Sequence, residues 1–182
     1  MIWRRRLTAL SLVVVSCASA ATAAFSLSSF GDGTYRVGKD IRPGTYRSLG
    51  GDGCYWARLK SFGGGLNAIL ANANASGPTL VTIKRTDKGF ETSGCSNWTK
   101  NLKRITKSKT RFGEGTFIVR TDIAPGTYRS RGGSSCYWAR LRAFTGELGA
   151  VIANDNASGS TIVTISSNDK GFESSGCGTW SR

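Results

Sequence analysis

Two six-residue stretches combine side chains able to grip a ligand: Cys54-Tyr55-Trp56-Ala57-Arg58-Leu59 and Cys136-Tyr137-Trp138-Ala139-Arg140-Leu141. On a strand, alternation puts Cys54, Trp56 and Arg58 on one face and Tyr55, Ala57 and Leu59 on the other. A Trp and an Arg side by side on an exposed face suit sugar rings or peptide. With the arginine of the Gly-Thr-Tyr-Arg-Ser segments, the candidate ligand-binding residues are Arg47, Trp56 and Arg58, and Arg129, Trp138 and Arg140. The competing reading packs the Trp on a disulfide and pairs the Arg locally. Charge favours the second. Asp32/Glu114, Asp40/Asp122, Asp87/Asp169 and Glu91/Glu173 keep a negative charge in both copies. Arg47/Arg129, Arg58/Arg140, Lys60/Arg142 and Lys88/Lys170 keep a positive one. A balanced set points to internal ion pairs rather than a groove for polyanions.

Catalytic chemistry has little to work with. The chain has no histidine, the commonest general acid/base and zinc ligand. Glycosidases need only two carboxylates, and Asp87 with Glu91 is the best pair, but these flank a Lys-Gly-Phe turn rather than an evident cleft. Asn154-Asp155-Asn156-Ala157-Ser158-Gly159 opens like a calcium loop, yet its counterpart Asn72-Ala73-Asn74-Ala75-Ser76-Gly77 has no carboxylate, so both read as turns. No catalytic residue, metal site or cofactor is assigned, and the balance leans away from an enzyme without closing that reading.

The elements that would position these residues occur twice, 82 residues apart and without a gap; about 43 of 68 aligned positions are identical. The plan is a signal over 1–24, a first repeat over 31–98, a basic linker over 99–112 and a second repeat over 113–180. Short Thr-, Tyr- and Val-rich runs bounded by Gly, Pro and Asn predict an all-β fold: two tandem small β-sandwich or barrel-like domains. The expected strands of the first repeat are 33–37, 44–48, 54–59, 68–71, 79–83 and 90–93. Alternation predicts cores of Tyr35, Val37, Ile41, Tyr46, Val81 and Ile83 with their counterparts. Phe62, Leu66, Phe90 and Trp98 are expected there too, with Phe144, Leu148, Phe172 and Trp180.

Four cysteines, two per repeat, permit three connectivities. Duplication favours Cys54–Cys95 and Cys136–Cys177, because each repeat then closes independently. Closing such a loop adds roughly 4 kcal/mol in the chain-entropy model. Disulfides agree with export. Met1–Arg6 is basic, Leu7–Val15 is apolar but too short to span a bilayer, and small-residue cleavage sites follow. A second reading of Val14-Val15-Ser16-Cys17 as a lipobox makes Cys17 a lipidated N-terminus. Both routes place the protein at the cell surface or outside the cell, with simple cleavage preferred.

The formal charge of +14 first suggests nucleic acid. Its placement argues otherwise, because the second repeat carries six basic and six acidic residues and is neutral. The excess sits in the signal, partly in the first repeat, and in the linker, where Lys100, Lys103, Arg104, Lys107, Lys109 and Arg111 occur without an acid. That segment is either a solvated spacer or a contact for an anionic envelope polymer.

The pattern of Asp-Ile-x-Pro-Gly-Thr-Tyr-Arg-Ser, Cys-Tyr-Trp-Ala-Arg-Leu, Asp-Lys-Gly-Phe-Glu and Ser-Gly-Cys-x-x-Trp resembles a duplicated module of exported proteins and lipoproteins of actinobacteria and their phages. The resemblance implies export, a bacterial source and a disulfide-closed β module, and brings no activity with it. The functional expectation is a tandem binding module, its partner an anionic envelope polymer or another extracellular protein. Rival readings are a secreted inhibitor of a protease or cell-wall hydrolase, and a glycosidase-like enzyme.

Overall fold

Glycine-bounded runs of Thr, Tyr and Val become short strands, because β-branched and aromatic side chains suit a pleated surface packed on one face. A computed structural model describes residues 28–51 and 53–182. The export signal over 1–24 and the lipidation site at Cys17 lie outside the described residues. Module 1 contains β1 (Ser29–Phe30), β2 (Gly33–Arg36), β3 (Gly44–Ser48), β4 (Cys54–Leu59), β5 (Ile69–Ala75), β6 (Thr79–Ile83), β7 (Gly89–Ser93) and β8 (Trp98–Thr99). Module 2 repeats them as β9 (Arg111–Phe112), β10 (Gly115–Ile118), β11 (Gly126–Ser130), β12 (Cys136–Leu141), β13 (Val151–Ala157), β14 (Thr161–Ile165), β15 (Gly171–Ser175) and β16 (Trp180–Ser181).

Each module has two four-stranded antiparallel sheets, ordered β1-β8-β3-β6 and β2-β7-β4-β5 in module 1, and β9-β16-β11-β14 and β10-β15-β12-β13 in module 2. The core of module 1 draws Phe30, Tyr46, Val81 and Trp98 from one sheet and Trp56, Ala71 and Phe90 from the other. Phe90 organises it: Trp98 meets that ring edge-on at 5.4 Å and Trp56 stacks on it at 6.3 Å. Phe172, Trp180 and Trp138 repeat the arrangement at 5.4 and 6.3 Å. The all-β tandem and both disulfides are as expected: Cys54 joins Cys95 and Cys136 joins Cys177.

Three differences from the sequence reading have physical causes. The Asn-rich segment is a strand through Ala75 rather than a turn from Asn72, because the full length of β4 supplies its ladder, Cys54 facing Ala75 and Ala57 facing Asn72. Its alanines tuck in and its asparagines face solvent, and Asn154, Asp155 and Asn156 likewise form part of strand β13 rather than a turn. Phe62, Leu66 and Leu148 are 54 %, 87 % and 93 % exposed and outside the cores. Leu66 and Leu148 begin short 3-10 turns, which aim them outward. Phe30 and Phe112, which the plan leaves before the first repeat and in the linker, are core residues instead. Pairing with Trp98 and Trp180 carries them inside, so the strands of the modules begin at Ser29 and Arg111.

Candidate functional site

Strand β4 holds Trp56 and Arg58 on its inner face, in module 1's contact with module 2. Trp56 is buried and its Nε1 donates to Thr79 Oγ1 at 3.3 Å. Arg58 donates through Nε and Nη2 to both Asp87 oxygens, at 2.7 and 2.8 Å. Asp87 also accepts the Lys84 amide at 2.7 Å, so the turn folds around its carboxylate. The remaining Arg58 nitrogen, Nη1, crosses to module 2 and donates to the Thr145 carbonyl at 2.6 Å and to Glu147 at 3.1 Å. Lys84 Nζ donates to both Glu147 oxygens at 2.7 and 2.8 Å. Burial works against the Arg58 charge, but the bonds to Asp87 and then Glu147 outweigh it and raise its pKa. The Lys84 bond, helped by Arg58, holds the Glu147 carboxyl below its usual range despite partial burial.

Arg47 crosses as well. It donates to Asp122 of module 2 at 2.5 Å and to the Lys103 carbonyl at 2.6 Å. Both side chains are almost wholly inaccessible, and burial pushes the Arg47 pKa down, partly offset by Asp122. Asp122 also accepts the Ile118 and Ile105 amides, and its carbonyl accepts the Thr106 hydroxyl. The linker is therefore pinned at its centre rather than a bare spacer. Main chain completes the contact: Thr82 N donates to Phe144 O at 2.7 Å, and Thr116 N to Pro78 O at 2.6 Å. The fit needs glycine at 146, where a Cβ would stand 2.6 Å from the Trp56 ring at a φ of 69°.

The expectation of two equivalent exposed Trp–Arg sites fails for module 1, whose Arg47, Trp56 and Arg58 are closed off by module 2. Local pairing of the Arg is what both copies show, Arg140 gripping Asp169 at 2.7 and 3.0 Å. In module 2 the counterparts are more open among the described residues: the Arg140 side chain is 25 % exposed, Ile162 is 55 % exposed where Leu80 is 3 %, and Arg129 is exposed. Trp138 Nε1 is buried without a hydrogen-bond partner. Asp87 does not form a carboxylate pair with Glu91, since it is buried on Arg58 while Glu91 is exposed. In module 2, burial raises the pKa of Glu173.

A second feature lies in module 2. Arg129 pairs with Ser181 and Ser181 with Arg111, so two arginines flank a serine across β11, β16 and β9. With Arg131 they line an open hollow of about 530 Å³ beside Cys177 and Gly178, and among the described residues no carboxylate lines it. Glu114 lies near without lining it, accepting the Gly178 amide at 3.2 Å. Module 1 has Ser29 and Leu49 where module 2 has Arg111 and Arg131. Of the linker cations, Lys100 Nζ donates to Pro43 O and lies 5.1 Å above the Tyr46 ring, and Lys109 Nζ donates to Arg120 O. Lys103, Arg104 and Lys107 are exposed.

The sequence profile of a family described as Rv1352-like extracellular domain matches residues 28–99 and 109–181. The chain belongs to this family. It carries two Rv1352-like domains, and the matched segments take in β1 and β9, the strands that deliver Phe30 and Phe112 to the cores. No curated protein and no solved structure matches the chain. Among the described residues no helix is long and apolar enough to cross a membrane. The Rv1352-like pair is thus an extracellular, disulfide-closed tandem.

Proposed function

We propose that this tandem is a secreted binding protein for an anionic polymer of the cell envelope, delivered by a signal peptide cleaved near residue 24, and that module 2 carries the recognition. The observation behind the reading is the hollow lined by Arg111, Arg129 and Arg131 without a carboxylate. Planar guanidinium groups bind phosphate and carboxylate oxygens in pairs, so a cluster of them favours oxyanions over other ligands. The exposed linker cations extend the positive surface along the chain and add longer-range attraction. Binding through such a surface weakens as salt shortens the Debye length from about 10 Å at 0.1 M to about 3 Å at 1 M.

Inorganic polyphosphate serves as the probe. The reading expects salt-sensitive binding that falls at least roughly tenfold, about 1.4 kcal/mol, when Arg111, Arg129 and Arg131 are all changed to Ser. Changing Lys103, Arg104 and Lys107 to Ser gives a smaller loss. Binding that the triple arginine variant leaves unchanged, or that does not respond to salt, refutes it.

A further inference from the structure

The contact between the modules is heterologous: one face of module 1 meets a different face of module 2. The donor face is the outer edge of β6 with Trp56 and Arg58. The acceptor face is the start of β10 with the loop Phe144–Glu147. Because the modules are copies, each chain retains one unused face of each kind. Module 2 keeps a free donor face, along β14 with Trp138 and Arg140. Module 1 keeps a free acceptor face, at β2 with the loop Phe62–Gly65.

We propose that the free donor face of module 2 docks on the free acceptor face of module 1 in a second copy of this chain. The exposures follow that pairing. Leu80 is buried under module 2, whereas Ile162 is 55 % exposed. Gly115 and Thr116 are buried at the contact, whereas Gly33 and Thr34 are exposed. A Cβ on Gly146 would strike Trp56, yet at Gly64, which has the same sign of φ, nothing stands within 4 Å. Trp138 is the side chain that would cover Gly64, as Trp56 covers Gly146. The main-chain bonds transfer without change of chemistry: Thr164 N replaces Thr82 N and the Phe62 carbonyl replaces that of Phe144. Arg140 replaces Arg58, with the Gly63 carbonyl in place of that of Thr145.

The ionic part does not transfer. Gly65 stands where Glu147 does, and Ser166 where Lys84 does. Asp40, the counterpart of Asp122, is held within its own module by Arg36 at 2.8 Å. The contact between chains therefore repeats the backbone bonds of the internal one but none of its carboxylate locks, and it lacks the linker that raises the effective concentration within a chain. It forms at high protein concentration or where copies gather on a surface. A heterologous contact of this kind builds rings or open filaments rather than two-fold dimers.

The test is sedimentation velocity on the exported chain over a wide concentration range, with two variants. The wild type is expected to show a mass that rises with concentration. Ile162→Glu, an exposed position, is expected to remain monomeric. Gly65→Glu with Ser166→Lys restores the missing carboxylate–lysine pair and sets position 65 toward the φ of −83° that Glu147 holds in place of 74°. Association of this double variant is expected at roughly tenfold lower concentration, the equivalent of about 1.4 kcal/mol. A wild type monomeric throughout, association that Ile162→Glu leaves intact, or a double variant no better than wild type overturns the proposal. Sedimentation is run without any polyanion, so its outcome is separable from polyanion binding even though Ile162 pairs with Arg129 across the sheet.

Discussion

Arg58 and Arg140 occupy the same place in two modules that share most of their residues, and each grips an aspartate with two nitrogens. Arg58 nevertheless reaches across to Thr145 and Glu147 in full burial, while Arg140 stays at the surface. The strand, the rotamer-setting aspartate and the stacked Trp are common to both. The difference lies wholly in what arrives from outside the module. A side chain's place in a fold therefore does not fix its role: one motif closes an interface in module 1 and remains available in module 2. Duplication supplied two binding faces, and docking of the modules consumed one of them.

The sharpest way to break this comparison is to remove equivalent aspartates. Asp122→Ala strands Arg47 in a buried contact and releases the Ile105 amide of the linker. Losing one partner of a buried pair costs about 3–5 kcal/mol. Asp40→Ala removes the same carboxylate from an exposed pair with Arg36 and is expected to shift the unfolding midpoint far less. Denaturant unfolding of both variants checks the contrast, and equal losses would show that Asp122 does not hold the modules together.

A smaller effect sharpens it. Glu147 has a lowered pKa in the folded protein, chiefly through Lys84, so its contribution to stability is fully present above the ordinary carboxylate value. That contribution is lost as pH falls through the lowered folded value. Glu147→Gln is therefore expected to reduce the melting temperature at neutral pH, with the gap to wild type closing at strongly acid pH. A gap that persists unchanged across that range would mean the Glu147 charge has no part in joining the modules.

Much of the fold was legible because it depends on local rules. Gly-bounded β-branched runs, paired cysteines and an ungapped repeat point to two disulfide-closed β modules without any knowledge of their arrangement. Phe30 and Phe112 were missed because two-residue strands leave no alternation to read; their register comes from Trp98 and Trp180 far along the chain. Leu66 and Leu148 misled because their hydrophobicity says nothing of a 3-10 turn that aims them outward. The contact between modules was hidden for a different reason. Charges retained in both copies give pairs inside a module, such as Arg58 with Asp87, and also the pair between modules of Arg47 with Asp122, so retention alone does not separate the two, and the rest of the contact lies where the copies differ. Gly65 against Glu147, and Ser166 against Lys84, were the available signal. The arginine hollow sits at such differences too, since Arg111 and Arg131 replace Ser29 and Leu49. Only the sheet order β14-β11-β16-β9 brings them beside Arg129.

The central claim is that equivalent edges are covered in module 1 and open in module 2, and amide hydrogen exchange resolved to single residues tests it most directly. In dilute protein the Thr82 amide, bonded to the Phe144 carbonyl, is expected to exchange slowly, and the Thr164 amide on the outer edge of β14 to exchange fast. Equal exchange at Thr82 and Thr164 would contradict the account.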